Sequence, residues 1–208
     1  MPAEAAIDAL LASRTGVSEP GAARSVLAGL PAGSHLVVAS SMPIRDVETF
    51  FGARDDAPRV LSNRGANGID GLVSTAYGVA ASRLGPVVLL IGDVALAHDL
   101  GGLLAGARHG IPLTIVVLDN GGGGIFDFLP VATQTDVFEE HVATPTGLDL
   151  AKAAELYGAK HVPVATLDDL REGLAESEGT TILHVRTDRA ENVALHRRVW
   201  EAVAEALP

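Results

Sequence analysis

Residues 87–93 read VVLLIGD, and residues 113–120 read LTIVVLDN. Each stretch contains a short, continuous apolar run, which is typical of a parallel strand that is buried on both faces of a sheet. Each run ends in polar residues, and the segment between the runs is long enough for one helical crossover. The two stretches therefore predict neighbouring parallel strands at the centre of an α/β sheet.

The rest of the chain alternates between strand and helix patterns on both sides of this pair. We expect strands at 36–39, 59–61, 87–91, 113–118, 162–164 and 181–185, and helices at 5–11, 21–30, 44–51, 71–83, 100–108, 148–157, 167–176 and 193–206. Alternation of this kind predicts a doubly wound, mainly parallel α/β sheet of about six strands with helices on both faces. Ligands of such sheets bind beyond the carboxyl ends of the strands.

The length of 208 residues allows one substantial hydrophobic core. We assign residues 17–208 to the α/β domain. Residues 1–16 form a short amphipathic segment that ends near Gly16, before the alternation starts, and we interpret them as the tail of an upstream domain.

The composition excludes several classes of partner. The formal charge of -11 disfavours nucleic acid and anionic membrane surfaces, because like charges repel. The chain has no cysteine, so it has no disulfide framework and no thiolate site, which fits a reducing cytosol. We find no secretion signal at the start and no apolar run long enough for a membrane span. A cytoplasmic protein is therefore expected.

Polar residues follow both central strands at their carboxyl ends. Gly92 and Asp93 end the first strand, and Asp119 and Asn120 end the second. A carboxylate, an amide oxygen and a loop carbonyl that meet there form a hard-oxygen site suited to Mg²⁺. Gly92 allows close approach of the backbone, and the helix after it directs N–H groups toward an anion. The spacing predicts a diphosphate and metal site, with an ordinary turn as the alternative.

Three longer segments carry a family resemblance. Residues 40–46 read SSMPIRD, residues 62–71 read SNRGANGIDG, and residues 122–130 read GGGIFDFLP. Together with the two strand ends, they resemble the C-terminal thiamine-diphosphate-binding domain of the 2-succinyl-5-enolpyruvyl-6-hydroxy-3-cyclohexene-1-carboxylate (SEPHCHC) synthases of menaquinone biosynthesis. The resemblance covers about residues 20–190 and implies that residues 1–16 end the family's middle domain.

The resemblance implies a transferase that uses thiamine diphosphate and Mg²⁺ or Mn²⁺. Such an enzyme decarboxylates 2-oxoglutarate and adds the succinyl carbanion equivalent to isochorismate. The glutamate that activates the cofactor comes from a pyrimidine-binding domain across a dimer interface, and no such domain fits in this chain. We therefore expect a homodimer or larger homo-oligomer, no catalytic residue in this chain, and no turnover by the chain alone.

The resemblance also implies a role for individual residues. The expected metal ligands are Asp93, Asn120 and the carbonyl of Gly122; the cofactor contacts also include Gly92, Val94, Ala95 and Ile69; the substrate contacts are Ser41, Arg45, Arg64, Ile125 and Phe126. The arginines suit dianionic substrates, because a guanidinium binds a carboxylate through two charge-assisted hydrogen bonds. Without the motif context, the same arginines would be read as surface residues paired with nearby acids.

Three positions depart from the family pattern. Asp119 stands where the family usually has Asn, Ala95 replaces a hydroxyl residue that contacts diphosphate, and Gly101 stands where Asn is common. Asp119 is expected to add negative charge beside the metal, and Ala95 to remove one hydrogen bond. His98 receives no role, and the remaining histidines show no paired metal-ligand spacing.

Two other functions stay open on the sequence. One is a different thiamine-diphosphate enzyme, of the acetohydroxyacid synthase or 2-oxoacid decarboxylase type. The other is a non-catalytic module that binds a nucleotide or diphosphate. Arg45 and Arg64 favour dianionic substrates over those of the first alternative.

Overall fold

The computed structural model of the protein describes residues 2–52, 54–63, 65–175 and 178–207. The strands in these ranges are β1 (His35–Val38), β2 (Arg59–Leu61), β3 (Val87–Gly92), β4 (Leu113–Asp119), β5 (Lys160–Val164) and β6 (Thr180–Arg186). The α-helices are α1 (Pro2–Ala12), α2 (Glu19–Gly29), α3 (Met42–Phe50), α4 (Leu72–Ala81), α5 (Asp93–His98), α6 (Leu104–His109), α7 (Leu150–Leu156), α8 (Leu167–Ala175) and α9 (Arg189–Ala206).

The six strands form one sheet in the order β2-β1-β3-β4-β6-β5, and every pairing is parallel. Strands β3 and β4 therefore lie in the middle of the sheet, as their continuous apolar runs predict. From β1 the chain continues to β2 on one side of the sheet, and from β3 it continues to β4 on the other side. A sheet of this kind forms a crevice for ligands where the order reverses in this way, here between β1 and β3. The predicted doubly wound α/β fold is confirmed.

Apolar side chains of the strands alternate between the two faces of the sheet. Leu89 and Ile91 pack on one face with α4, whereas Val88 and Leu90 pack on the other face with α2 and α8. Each fully buried aliphatic side chain contributes about 1.5–3 kcal/mol to the free energy of unfolding. Because both faces of β3 are buried, the strand is held in place, and its polar carboxyl end lies at the edge of the sheet.

Helix α1 packs against the C-terminal helix α9. Ile7, Leu10 and Leu11 contact a small cluster that includes Phe50 and Leu195. The carboxylate of Asp8 also forms an ion pair with Arg24 of α2. The assignment of residues 1–16 to an upstream domain stays a prediction, because these contacts do not show which domain the helix completes.

Several element boundaries differ from those expected from periodicity. Helix α9 begins at Arg189 rather than near residue 193, because the Asp188 carboxylate accepts a hydrogen bond from the backbone N–H of Glu191 at 2.9 Å. The helix predicted at 100–108 is split into a 3₁₀ turn (Leu100–Leu103) and α6. The helix predicted at 167–176 is described as far as Ala175, and residue 176 lies outside the described residues.

The sequence predicts no helix or strand between β4 and α7. This segment contains short 3₁₀ turns at Gly124–Phe128 and Pro130–Thr133 and a π-helical turn at Glu139–Ala143. Across the described ranges, none of the helices combines the length and the apolar character that crossing a bilayer requires.

Candidate functional site

The carboxyl ends of β3, β4 and β6 bring polar residues together. The register pairs Gly92 with Leu118 and Asp119 with Arg186, so Asp93 lies beside Asp119. A cleft of about 470 Å³ opens at this edge, lined by Asp93, Asp119, Gly121, residues 145–150 and Arg186. The cleft lies where a doubly wound sheet binds its ligands.

Asp93 is a buried carboxylate at the first position of α5, with 5% of its surface exposed. Burial, and then the charge of Asp119, raise its pKa to about 6. The contacts that oppose this shift are backbone N–H groups, including those of Val94 and Gly122. A buried carboxylate in these surroundings is stabilised by a cation that shares its site.

Asn120 presents an amide oxygen without a partner. Its Nδ2 donates a hydrogen bond to Oε1 of Glu19 at 2.9 Å, whereas its Oδ1 is buried and accepts no hydrogen bond from any described residue. A buried acceptor without a donor costs about 1–3 kcal/mol. A divalent cation at Oδ1 would remove this cost.

Gly122 holds the glycine-rich turn in a conformation that a side chain would prevent. Its φ is +144°, and a Cβ atom at this position would lie 2.6 Å from the carbonyl oxygen of Ala143. Its N–H group contacts Asp93, and its carbonyl oxygen accepts a hydrogen bond from the N–H of Gly124 at 2.9 Å. The second lone pair of that carbonyl can still bind a cation.

The three predicted metal ligands are therefore linked by direct contacts or by the turn that joins them. Asp93 supplies a carboxylate, Asn120 an unsatisfied amide oxygen and Gly122 a carbonyl, which are the oxygen donors that Mg²⁺ prefers. In the part of the chain that the structure describes, no group of three or more His, Cys, Asp or Glu residues is arranged to hold a metal. The mixed oxygen set fits the predicted ion.

Three of the other predicted cofactor contacts are chain neighbours of Asp93. Gly92 ends β3, and Val94 and Ala95 lie in the first turn of α5. Ala95 is 4% exposed and belongs to the hydrophobic core, so its methyl group fills space that a hydroxyl would occupy poorly. Ile69 is partly buried against the same core.

Ser41 precedes α3 in an unusual backbone conformation. Its φ of +77° and ψ of −136° are adopted readily only by glycine, and such a conformation costs about 1–3 kcal/mol in another residue. The Nη1 of exposed Arg45 donates to the Ser41 carbonyl at 2.7 Å, rather than to an acidic neighbour. The N–H of Ser40 donates to the carbonyl of Gly68 at 3.3 Å, which joins two of the predicted motifs.

The predicted walls of the substrate site lie on the 3₁₀ turn after the glycines. Ile125 is half-buried and Phe126 is 38% exposed. Arg189 fixes this turn, because its guanidinium forms two hydrogen bonds with Glu139, at 2.7 and 2.8 Å, and lies 3.6 Å from the Asp127 carboxylate. Arg64, the second predicted carboxylate-binding arginine, lies outside the described residues.

The carboxylate of Asp119 is paired with a histidine of β6. Its Oδ2 lies 2.8 Å from Nε2 of His184, and the Nδ1 of His184 lies 3.0 Å from Nε2 of His161. The hydrogen bond from His184 lowers the pKa of the Asp119 carboxyl. Asp119, which departs from the family pattern, therefore has a histidine partner within the protein. His98 is exposed and lies at the end of α5.

A second, larger groove of about 930 Å³ lies at the opposite, amino edge of the sheet. Its lining includes residues 85–88 and 110–114 and none of the predicted site residues. The polar constellation therefore lies at the carboxyl edge, away from the larger groove.

Sequence reasoning missed the residues that support the site from behind. They are Glu19, His184, Arg189 and the buried pair Asp46 and His196. Asp46 belongs to a quoted motif, so its position gave a signal. Glu19 precedes the first strand by a whole helix, and nothing in its local pattern indicates a contact with β4.

Asp46 and His196 form a buried, hydrogen-bonded pair in the core. The Nδ1 of His196 donates to the Asn192 carbonyl at 2.9 Å, and its Nε2 lies 2.9 Å from Oδ1 of Asp46. Burial lowers the pKa of His196, but the hydrogen bond and charge of Asp46, aided by Glu19, outweigh it, so the pKa is raised. Burial raises the pKa of Asp46 against the opposing hydrogen bond from His196.

The raised pKa of His196 predicts a pH dependence of stability. Unfolded, His196 releases its proton near the ordinary value of 6.5, whereas the folded pair keeps it to higher pH. The raised pKa therefore contributes stability that is complete below pH 6.5 and lost as pH rises, by up to about 1.4 kcal/mol per pH unit. Urea unfolding of wild type and Asp46→Asn measures this, since the variant can keep a hydrogen bond to His196 and lacks the carboxylate charge that raises the pKa of His196. A constant difference between about pH 6 and pH 9 would contradict the prediction.

Comparison with known proteins places the chain in a family. Residues 46–185 match the family described as thiamine pyrophosphate enzyme, C-terminal TPP binding domain. The chain is 50% identical over 181 residues to the SEPHCHC synthase of Geobacillus thermodenitrificans strain NG80-2, which covers 86% of this chain and 31% of that protein. It is 48% identical over 209 residues to the synthase of Myxococcus xanthus strain DK1622, covering 97% of this chain and 35% of that protein.

Solved structures give the same assignment of the fold. The thiamine diphosphate-dependent 4-hydroxybenzoylformate decarboxylase of Rhodococcus jostii RHA1 superposes with a TM-score of 0.67 at 25% identity, over 84% of this chain and 33% of that chain. The chain spans about a third of the length of the curated relatives that it matches. The resemblance to SEPHCHC synthases that the motifs indicate is confirmed. The chain belongs to the thiamine pyrophosphate enzyme family, as its C-terminal, TPP-binding domain.

Proposed function

We propose that the chain is the diphosphate- and Mg²⁺-binding domain of a SEPHCHC synthase. The whole enzyme would decarboxylate 2-oxoglutarate and add the succinyl unit to isochorismate, as a step of menaquinone synthesis. The proposed binding of Mg²⁺ rests on one observation, the buried Oδ1 of Asn120, which has no hydrogen-bond partner among the described residues and follows the strand next to that of buried Asp93. The similarity to named SEPHCHC synthases, at up to 50% identity, supports the choice of reaction.

The residues of this chain would bind the ion and the diphosphate. Asp93, Asn120 and the Gly122 carbonyl would hold Mg²⁺, and Mn²⁺ would take the same donors. The backbone of 92–95 would hold the diphosphate, with Ile69 supporting the cofactor. When bound, thiamine diphosphate supplies the carbanion-stabilising chemistry that amino-acid side chains lack.

Other residues would orient the two anionic substrates. Ser41 and Arg45 would bind one carboxylate, and Arg64 would bind another. The hydrogen bond from Nη1 of Arg45 to the Ser41 carbonyl supports this role, because it holds the guanidinium close to Ser41. Ile125 and partly exposed Phe126 would form an apolar wall that excludes water from the reacting groups.

The chain would act together with a separate pyrimidine-binding domain. Its span of about a third of the relatives supports this division. We assign no proton-transfer residue to this chain, because the activating glutamate belongs to the other domain. We therefore propose a cytoplasmic homo-oligomer in which residues 1–16 continue an upstream domain, and in which the isolated chain is inactive.

Calorimetry on the 208-residue chain tests this function. Thiamine diphosphate with Mg²⁺ is expected to bind at least about tenfold more tightly than ADP with Mg²⁺, and removal of Mg²⁺ is expected to abolish binding. Tighter binding of ADP would favour the nucleotide-binding module. Turnover of 2-oxoglutarate and isochorismate by the chain alone would contradict the proposal that the chain needs a separate pyrimidine-binding domain for activity. Product analysis after addition of a pyrimidine-binding domain would identify an acetohydroxyacid synthase or 2-oxoacid decarboxylase.

A further inference from the structure

We propose that Glu19 is the positioning residue that turns the amide oxygen of Asn120 toward the metal ion. This inference rests on the proposed function, because it assigns Glu19 a task in the binding of that ion. Glu19 lies in the first turn of α2, and none of the family motifs includes it. It contacts the site from behind and does not line the cleft.

The contacts of Glu19 fix one end of the Asn120 side chain. Oε1 of Glu19 accepts hydrogen bonds from Nδ2 of Asn120 at 2.9 Å and from Oγ1 of Thr187 at 3.0 Å. The side chain of Glu19 is 1% exposed, so water does not compete for this oxygen. The N–H of Thr187 in turn donates to the Asp119 carbonyl at 2.9 Å, which joins this group to the end of β4.

The orientation of a carboxamide decides whether it can bind a cation. Its oxygen and its NH₂ group have nearly the same shape, but only the oxygen is a metal ligand. Oε1 of Glu19 is already the acceptor of a hydrogen bond from Oγ1 of Thr187, so it faces Nδ2 of Asn120 favourably and would face Oδ1 unfavourably. An amide rotated by half a turn would place two oxygens together and direct NH₂ at the ion. Glu19 therefore holds Oδ1 in the orientation that metal binding requires.

A second contact holds the same amide from the other side. The backbone of Gly124 lies so close that a Cβ atom there would be 2.6 Å from Nδ2 of Asn120. The glycine turn thus closes over the NH₂ group while Oδ1 stays without a hydrogen-bond partner in the described part of the chain. The amide is confined between the turn and Glu19.

A purely structural role is a poor account of a carboxylate at this position. Removing a carboxyl group from water costs free energy, which an apolar side chain of similar size avoids. Asn120 and Thr187 both donate to the same oxygen, so the polar group recovers part of that cost locally. The positioning role predicts that stability and metal affinity respond differently when the carboxylate is removed.

Mn²⁺ binding to the 208-residue chain, measured by electron paramagnetic resonance with thiamine diphosphate present, tests the proposal. Glu19→Met has a similar length and no acceptor, so Thr187 and Asn120 lose a shared partner and Oδ1 can turn inward to accept from the hydroxyl. We expect about fivefold weaker Mn²⁺ binding with an unchanged or higher free energy of unfolding. Glu19→Gln retains an acceptor oxygen and is expected to bind within about twofold of wild type.

Thr187→Val is the matched control, because it removes the other hydrogen bond to Glu19 and leaves Asn120 its acceptor. It is expected to bind Mn²⁺ within about twofold of wild type. Wild-type affinity in Glu19→Met, or an equal loss in Glu19→Gln, would overturn the positioning role. Failure of the unsubstituted chain to bind Mn²⁺ and thiamine diphosphate would instead overturn the proposed function.

A second measurement needs no folded Glu19→Met protein. In ¹⁵N NMR spectra of the unsubstituted chain, the side-chain amide protons of Asn120 are expected to exchange with solvent at least about tenfold more slowly than those of exposed Asn67. The Asn120 signal is assigned by its loss in Asn120→Asp. Exchange as fast as that of Asn67 would refute the contact with Glu19 and with it the inference.

Discussion

Asp93→Ala is expected to weaken Mg²⁺-dependent binding of thiamine diphosphate by at least about 100-fold. Asp93 is the charged member of the proposed ligand set, whose other members are the neutral oxygens of Asn120 and Gly122, so its loss would remove most of the attraction for a divalent ion. The fold should tolerate the change, because the carboxylate is 5% exposed and burial raises its pKa to about 6. Calorimetry with and without Mg²⁺ measures the affinity, and urea unfolding measures the stability.

Asp119→Asn is the matched control for Asp93→Ala. It removes a negative charge at the neighbouring strand tip, but its oxygen can still accept from Nε2 of His184, which lies 2.8 Å from the present carboxylate. We expect binding within about threefold of wild type. A large loss in Asp119→Asn with little change in Asp93→Ala would mean that the metal binds at the other acid.

Gly122→Ala is expected to destabilise the domain by more than about 3 kcal/mol and to abolish metal-dependent cofactor binding. The added Cβ would lie 2.6 Å from the Ala143 carbonyl, and the φ of +144° is strained for any L-residue. The turn must therefore move, which shifts both the Gly122 carbonyl and the N–H group that contacts Asp93. Thermal unfolding and Mn²⁺ titration measure the two effects.

Gly121→Ala serves as the comparison for Gly122→Ala, one residue earlier in the same turn. A Cβ atom there would meet no atom within 4 Å, and only its φ of +76° is unfavourable. We expect a loss of about 1–2 kcal/mol and retention of metal binding. Equal behaviour of the two variants would show that the close approach to residue 143 has no role in the site.

Most of the fold could be predicted from the sequence, because a few strong local signals determine it. The continuous apolar runs of β3 and β4 have one stable environment, the interior of a parallel sheet. Helix ends were less predictable, since they depend on single caps such as Asp188 for α9. The 3₁₀ and π-helical turns between β4 and α7 gave no periodic signal, because their conformation depends on contacts such as that between Arg189 and Glu139.

The candidate site residues that directly follow a strand could be predicted from the sequence. Asp93 and Asn120 follow apolar runs, so the topology alone predicts that they are neighbours. Their supporting residues were not predictable, since Glu19 reaches Asn120 from a helix that precedes the sheet. The departure at Asp119 suggested an unbalanced charge, and only the fold places His184 of β6 next to it. Long-range pairs of this kind leave no trace in local spacing.

The backbone of Ser41 has a consequence for attempts to engineer this protein. A glycine would occupy its left-handed conformation without strain, so a screen that rewards heat resistance alone would favour loss of the hydroxyl at that position. Such a screen would remove a hydroxyl group that we propose contacts the substrate. If serine is needed for the proposed substrate contact, selection for heat resistance and selection for turnover would favour different residues at position 41.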